Sequence, residues 1–129
     1  MLNSGAGYFG RIDPAGERFE PIAFCPGYLR GLVFVDRFAV VGLSRPRAEN
    51  KTFAGLELGE TLAAKGVSAR CGIMVIDLKS GDTVHWLNIA GVVEEFYDVA
   101  VLPGVVRPMA LGFKSDEIRR VITLGPPPA

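Results

Sequence analysis

Apolar residues in this chain alternate with polar or small ones in short runs, broken every ten residues or so by glycine, proline or aspartate. A period of two puts successive side chains on opposite faces of an extended backbone, so such runs predict half-buried strands rather than helices. They cover residues 8–13, 18–24, 31–35, 38–43, 72–78, 83–89, 97–102, 107–113 and 118–124. Between them Pro14-Ala15-Gly16-Glu17, Asp36-Arg37, Ser80-Gly81-Asp82 and Pro103-Gly104 supply hairpin turns. Only the stretch from Gly59 to Lys65 reads as helical, and Gly66 behind it suits a left-handed C-cap. It lies in an insertion of about residues 46–69, a length of loop that usually carries function or motion. The pattern thus predicts one β domain over residues 1–124 and a loose proline-rich tail at 125–129, which cannot join a ladder.

The runs also repeat. Ile12-Asp13 before Gly16 matches Ile76-Asp77 before Gly81, Ile22-Ala23 matches Ile89-Ala90, and Leu32 and Phe34 fall on Val99 and Val101. Without the insertion the period approaches the roughly forty to fifty residues of a propeller blade. The expected architecture is therefore all-β, with four-stranded blades of the β-propeller type. The N-terminal hairpin would be strands c and d of one blade, residues 31–89 a complete a-b-c-d, and the C-terminal hairpin strands a and b of the next. About two blades' worth of strands cannot close a ring, which takes typically about four to eight blades. A second copy could finish the open blade, and three copies would make about six. The alternative is a monomeric two-sheet β-sandwich.

Composition sharpens this picture. Lys+Arg and Asp+Glu balance at 14 each, so the chain has no net field to gather a nucleic acid. Hydrophobic residues make up 49%, with mean hydropathy +0.28, high for a small domain that buries a limited share of its surface. That excess points to a subunit interface and a homo-oligomer, a trimer first. No apolar run reaches the about eighteen residues that a bilayer span needs, and the start lacks the pattern of a secretory signal. A cytoplasmic protein without membrane contact is expected. Cys25 and Cys71 are too few for a disulfide framework and are expected reduced and buried; with His85 the sole histidine, no metal site and no cofactor are expected.

Several short pieces carry a resemblance: Asn3-Ser4-Gly5-Ala6-Gly7, Arg30-Gly31-Leu32, Val41-Gly42-Leu43-Ser44-Arg45, Arg70-Cys71-Gly72, His85-Trp86-Leu87 and Tyr97-Asp98-Val99-Ala100-Val101-Leu102-Pro103-Gly104. Together they resemble the C-terminal part of a bacterial family of conserved hypothetical proteins with a propeller-like fold. The resemblance covers nearly the whole chain. It implies a propeller-type fold and brings no activity. Its members are generally much longer, so this chain lacks their N-terminal blades, as either a shortened self-assembling version or a fragment.

Most motifs read as architecture. Gly5-Ala6-Gly7-Tyr8-Phe9-Gly10 matches a dinucleotide fingerprint in form, yet it leads into a strand where that chemistry needs a helix N-terminus. Asp13 and Asp77, each ahead of a turn glycine, are expected to accept turn N–H groups. Ser44 has no nucleophile-elbow context, His85 shares a strand with Trp86, the likelier core member, and no loop gathers calcium ligands. What remains is a rim. In a propeller the d-to-a and b-to-c connections emerge on one face, which would gather Arg30, Arg45, Arg47, Arg70, Glu94, Glu95, Tyr97 and Asp98. Arg45 and Arg47 bracket Pro46 and offer planar donors to a carboxylate or phosphate. The leading reading is a non-catalytic ligand-binding or scaffolding module for a small polar or anionic ligand. The alternative is a propeller-type lyase or hydrolase on a sugar-like or carboxylate substrate, with Glu95 or Asp98 as acid–base and Arg30 orienting. A third reading is a purely structural piece that relies on a longer partner. Carboxylates converging within hydrogen-bonding reach of one channel position would favour the enzyme; carboxylates each paired to an arginine would favour the binding or structural readings.

Overall fold

The computed structural model describes residues 1–45 and 55–108 and, singly, Ala110, Gly112, Lys114 and Asp116. Strands β1 (Leu2–Asn3), β2 (Tyr8–Asp13) and β3 (Arg18–Phe24) form one antiparallel sheet in that order. Strands β4 (Tyr28–Val35), β5 (Phe38–Ser44), β6 (Gly72–Asp77) and β7 (Thr83–Asn88) form a second antiparallel sheet, also in chain order. The protein is thus all-β with two meandering sheets.

Alternation decides the core. Ala39, Val41 and Leu43 of β5 share a face with Met74 and Ile76 of β6 and with Leu29 of β4, and all are buried. Phe9, Ala23 and Cys25 meet them from the first sheet. Each leucine, isoleucine, valine, methionine or phenylalanine so buried contributes about 1.5–3 kcal/mol relative to exposure. The turns follow the expected chemistry: Asp13 Oδ1 accepts the Ala15 N–H at 3.1 Å and Asp77 Oδ1 accepts that of Lys79 at 2.9 Å. Asp77 also pairs with Arg37 at 3.0 Å, tying the β4–β5 turn to the β6–β7 turn.

Helix α1 spans Leu58–Ala64, one residue ahead of the expected run. Gly66, at φ 63°, closes it as a Schellman cap: Gly66 N–H bonds to Ala63 O and Val67 N–H to Leu62 O. Leu58 is buried against Gly7, and the Lys65 ammonium lies 4.9 Å from the Phe24 ring centre, so the helix is docked on the first sheet.

The strand expectations change at four places. β4 begins at Tyr28, so Arg30 is inside a strand rather than ahead of one. The strand survives the glycine because Gly31 is the extra residue of a bulge: Arg30 pairs with Gly42 and Leu32 with Val41, with Gly31 at φ 75°. The short β1 was not anticipated, since two residues carry no periodicity. The run 97–102 is described and is not a strand. Its sequence is apolar enough, but a single extended segment forms no ladder without a neighbour to exchange hydrogen bonds with. The described residues of 107–113 carry no strand either, and 118–124 lies outside the described residues.

Candidate functional site

The end of the second sheet where β4 and β6 start and β5 and β7 finish carries most of the candidate residues. Period two puts Tyr28 and Arg30 of β4 on the face away from the core, beside Gly42 and Ser44 of β5. On that face glycine leaves room. A Cβ on Gly42 would meet the Val99 side chain at 2.7 Å, and one on Gly31 would run into the backbone of Asp98 and Val99. Residues 94–99 therefore lie directly across the β4–β5 pair.

Ser44 holds them there. Its hydroxyl is fully buried, accepts the Phe96 N–H at 2.9 Å and lies 3.2 Å from Phe96 O, to which it donates. One residue on, Arg45 N–H bonds to Glu94 O at 2.9 Å. The Arg45 guanidinium reaches Glu94 Oε1 at 3.1 Å and Gly91 O at 2.9 Å, while its Nε is buried without a hydrogen-bond partner. Arg45 and Glu94 thus clamp the connection that follows β7.

With 94–99 in place, Tyr97 comes to Arg30. The guanidinium carbon lies 5.3 Å from the Tyr28 ring centre and 5.6 Å from that of Tyr97, whose own surface is 78% exposed. Among the described residues the Arg30 guanidinium donates no hydrogen bond and joins no ion pair. Two rings orient the cation by their negative faces and leave its edge donors open. Asp98 bonds its own neighbour, with Oδ1 accepting the Val99 N–H at 2.8 Å. Glu95 is half-buried and has a partner of its own.

The eight expected residues therefore divide. Arg30, Tyr97 and Asp98 come together with Tyr28, and Arg45 pairs with Glu94. Arg70 is apart, its guanidinium carbon 5.9 Å from the Trp86 ring centre on the core-facing side of β7. Arg47 lies outside the described residues. Trp86, read as a core member, is 66% exposed, because β7 is the outer edge of its sheet and, among the described residues, no strand or helix flanks it. Tyr28 and Ser44 were missed as site-builders, although Tyr28-x-Arg30 is itself the spacing that puts two side chains on one face.

Both thiols are buried and free. Burial pushes Cys25 up to about 12, against a weaker opposite pull from a hydrogen bond to the Phe9 backbone. Burial also raises Cys71, with Glu94 adding to it and Arg45 opposing. Neither thiol is a ready nucleophile. Among the described residues no group of three or more His, Cys, Asp or Glu is placed to hold a metal, and no helix is long and apolar enough to cross a membrane.

A family model described as a domain of unknown function (DUF4915) matches residues 1–111. No curated protein and no solved structure matches the chain. The matched span takes in both sheets and the whole of the site just built.

Proposed function

The chain belongs to the DUF4915 family, and we propose that it is a non-catalytic binding module whose Arg30 takes a small anionic ligand between Tyr28 and Tyr97. The observation that carries this reading is the state of the charges. Arg30 is oriented by two rings yet has open donors, whereas Glu94 is paired with Arg45 and one Asp98 oxygen accepts the Val99 N–H. Acid–base work needs a carboxylate free to exchange a proton with substrate. Anion binding needs only the guanidinium, whose planar fork matches a carboxylate or phosphate.

The test is a thermal-shift series with inorganic phosphate, citrate and malonate. A ligand that binds only the folded state raises the melting temperature. At least one of these anions should do so, and the rise should vanish in Arg30→Ala and shrink in Tyr97→Ala. A rise that survives intact in Arg30→Ala would defeat the proposal.

Within the same reading, β4 to β7 form one propeller blade, β2 and β3 the outer half of the blade before it, and residues 97–102, which carry no strand in the single chain, would supply inner structure of the blade after it once another copy pairs with them. Supporting this, the first sheet covers one face of β4–β7 while residues 94–99 begin to cover the other. A homo-oligomer, three copies in the first instance, completes the ring and brings copies of Arg30 to one rim.

A further inference from the structure

Across the second sheet from Arg30, on its core-facing side, a cleft of about 150 Å³ opens between the β3–β4 corner and the edge strand β7. Pro26, Leu43, Met74 and Trp86 line it, with Arg70 at its lip. Met74 and Trp86 are cross-strand partners, so they stand side by side on one face. Met74 is buried, while Trp86 remains 66% exposed although it is the largest apolar side chain in the molecule. The Arg70 N–H bonds to Pro26 O at 2.7 Å, which fixes the root of that side chain beside the cleft. Its guanidinium lies over the indole and, among the described residues, donates no hydrogen bond and joins no ion pair.

We propose that this cleft is a second binding site, for a small monocarboxylate carrying one benzene-sized apolar group. Size sets the apolar part: about 150 Å³ is the volume of cavity that takes up a benzene ring. Charge sets the polar part. The walls are mostly apolar, with Thr83 and Asn88 also lining the cleft and Arg70 its one cation, and a guanidinium grips a carboxylate with two parallel N–H bonds. A dianion such as phosphate would leave one charge unmatched against apolar walls and pay its desolvation. The indole supplies a face for the ring to lie on, adding a contact worth about 0.5–1.5 kcal/mol beyond area. This site stands on residues that Arg30 does not touch.

Trp86 is the sole tryptophan of the chain, so its fluorescence reports this cleft alone. Titration with phenylacetate is expected to give a saturable change in emission. The neutral 2-phenylethanol should bind at least about ten-fold more weakly, the least that charge-assisted hydrogen bonds contribute, and so should phenylacetate to Arg70→Gln. Acetate alone should leave emission unchanged. The Met74 methyl resonance should move with phenylacetate in the unmodified chain, which checks the location without any variant. No saturable change with phenylacetate, equal affinity for 2-phenylethanol, or an unaltered titration in Arg70→Gln would each overturn the site.

Discussion

Ser44 does with one hydroxyl what a neighbouring strand does with a peptide group. It exchanges hydrogen bonds with both the N–H and the C=O of Phe96 and so holds the segment that carries Tyr97 to Arg30. Removing the hydroxyl leaves two backbone groups facing a buried alanine methyl. Leaving such groups unsatisfied costs about 1–3 kcal/mol. Ser44→Ala is accordingly expected to lower stability by that amount in denaturant titration. It should also speed hydrogen exchange at the Phe96 amide, while core amides of β5 shift only with global stability. Unchanged exchange at Phe96 would mean that the hydroxyl does not hold the segment. A strand-terminal serine looks like any polar end of a strand in sequence, because its partner lies 52 residues away. Nothing local announces it.

At the scale of elements, the contact between β4–β5 and residues 98–99 rests on missing side chains. Gly31 is left-handed, and a Cβ there would also strike the backbone of Asp98 and Val99. Gly66, equally left-handed at φ 63°, has nothing within 4 Å of its Cβ position. Gly66→Ala should therefore cost only the strain of a left-handed alanine, about 1–2 kcal/mol. Gly31→Ala should cost more and should weaken whatever ligand Arg30 binds, whereas Gly66→Ala should leave that binding alone. Equal losses in the two variants, by unfolding midpoint and by titration, would remove the close approach from the account. The contrast also shows why some elements were legible and others not. Period-two runs such as Phe38–Ser44 and Gly72–Asp77 declare themselves because both their faces and their turn partners are local. Arg30 is expected ahead of its strand because the run reads from Gly31, and only pairing with β5 extends the strand back to Tyr28 and makes Gly31 its bulge. The run 97–102 has strand chemistry and no strand neighbour, a fact about space that period and propensity do not contain.

For the molecule as a whole, what stands out is how much apolar surface the C-terminal stretch leaves uncovered. Val92 is 99% exposed and Val106 90%, with Tyr97, Leu102 and Val105 each at least half exposed. They are spread along residues 92–106, of which 98 and 99 pack against β4–β5. Dispersed exposed leucines and valines need no explanation, but several large apolar side chains exposed within residues 92–106 are what the proposed joint would cover. Burying them at about 25 cal/mol per Å² rewards a neighbour that supplies the missing ladder. A specific interface needs about 800 Å² per partner. In the proposed ring, the β2–β3 hairpin of another copy would be set against this stretch head to tail, along the part of β2 that β1 leaves unpaired, and such an interface repeats until the rotation closes. Light scattering across a concentration series should then give three times the 13.8 kDa chain mass. Replacing Leu102 and Val106 together by aspartate, which strands two charges in the joint, should return the protein to a single-chain mass without unfolding its described sheets. A mass of one chain at every concentration would end the idea of closure between copies, and a closed number other than three would keep closure while removing the ring of about six blades.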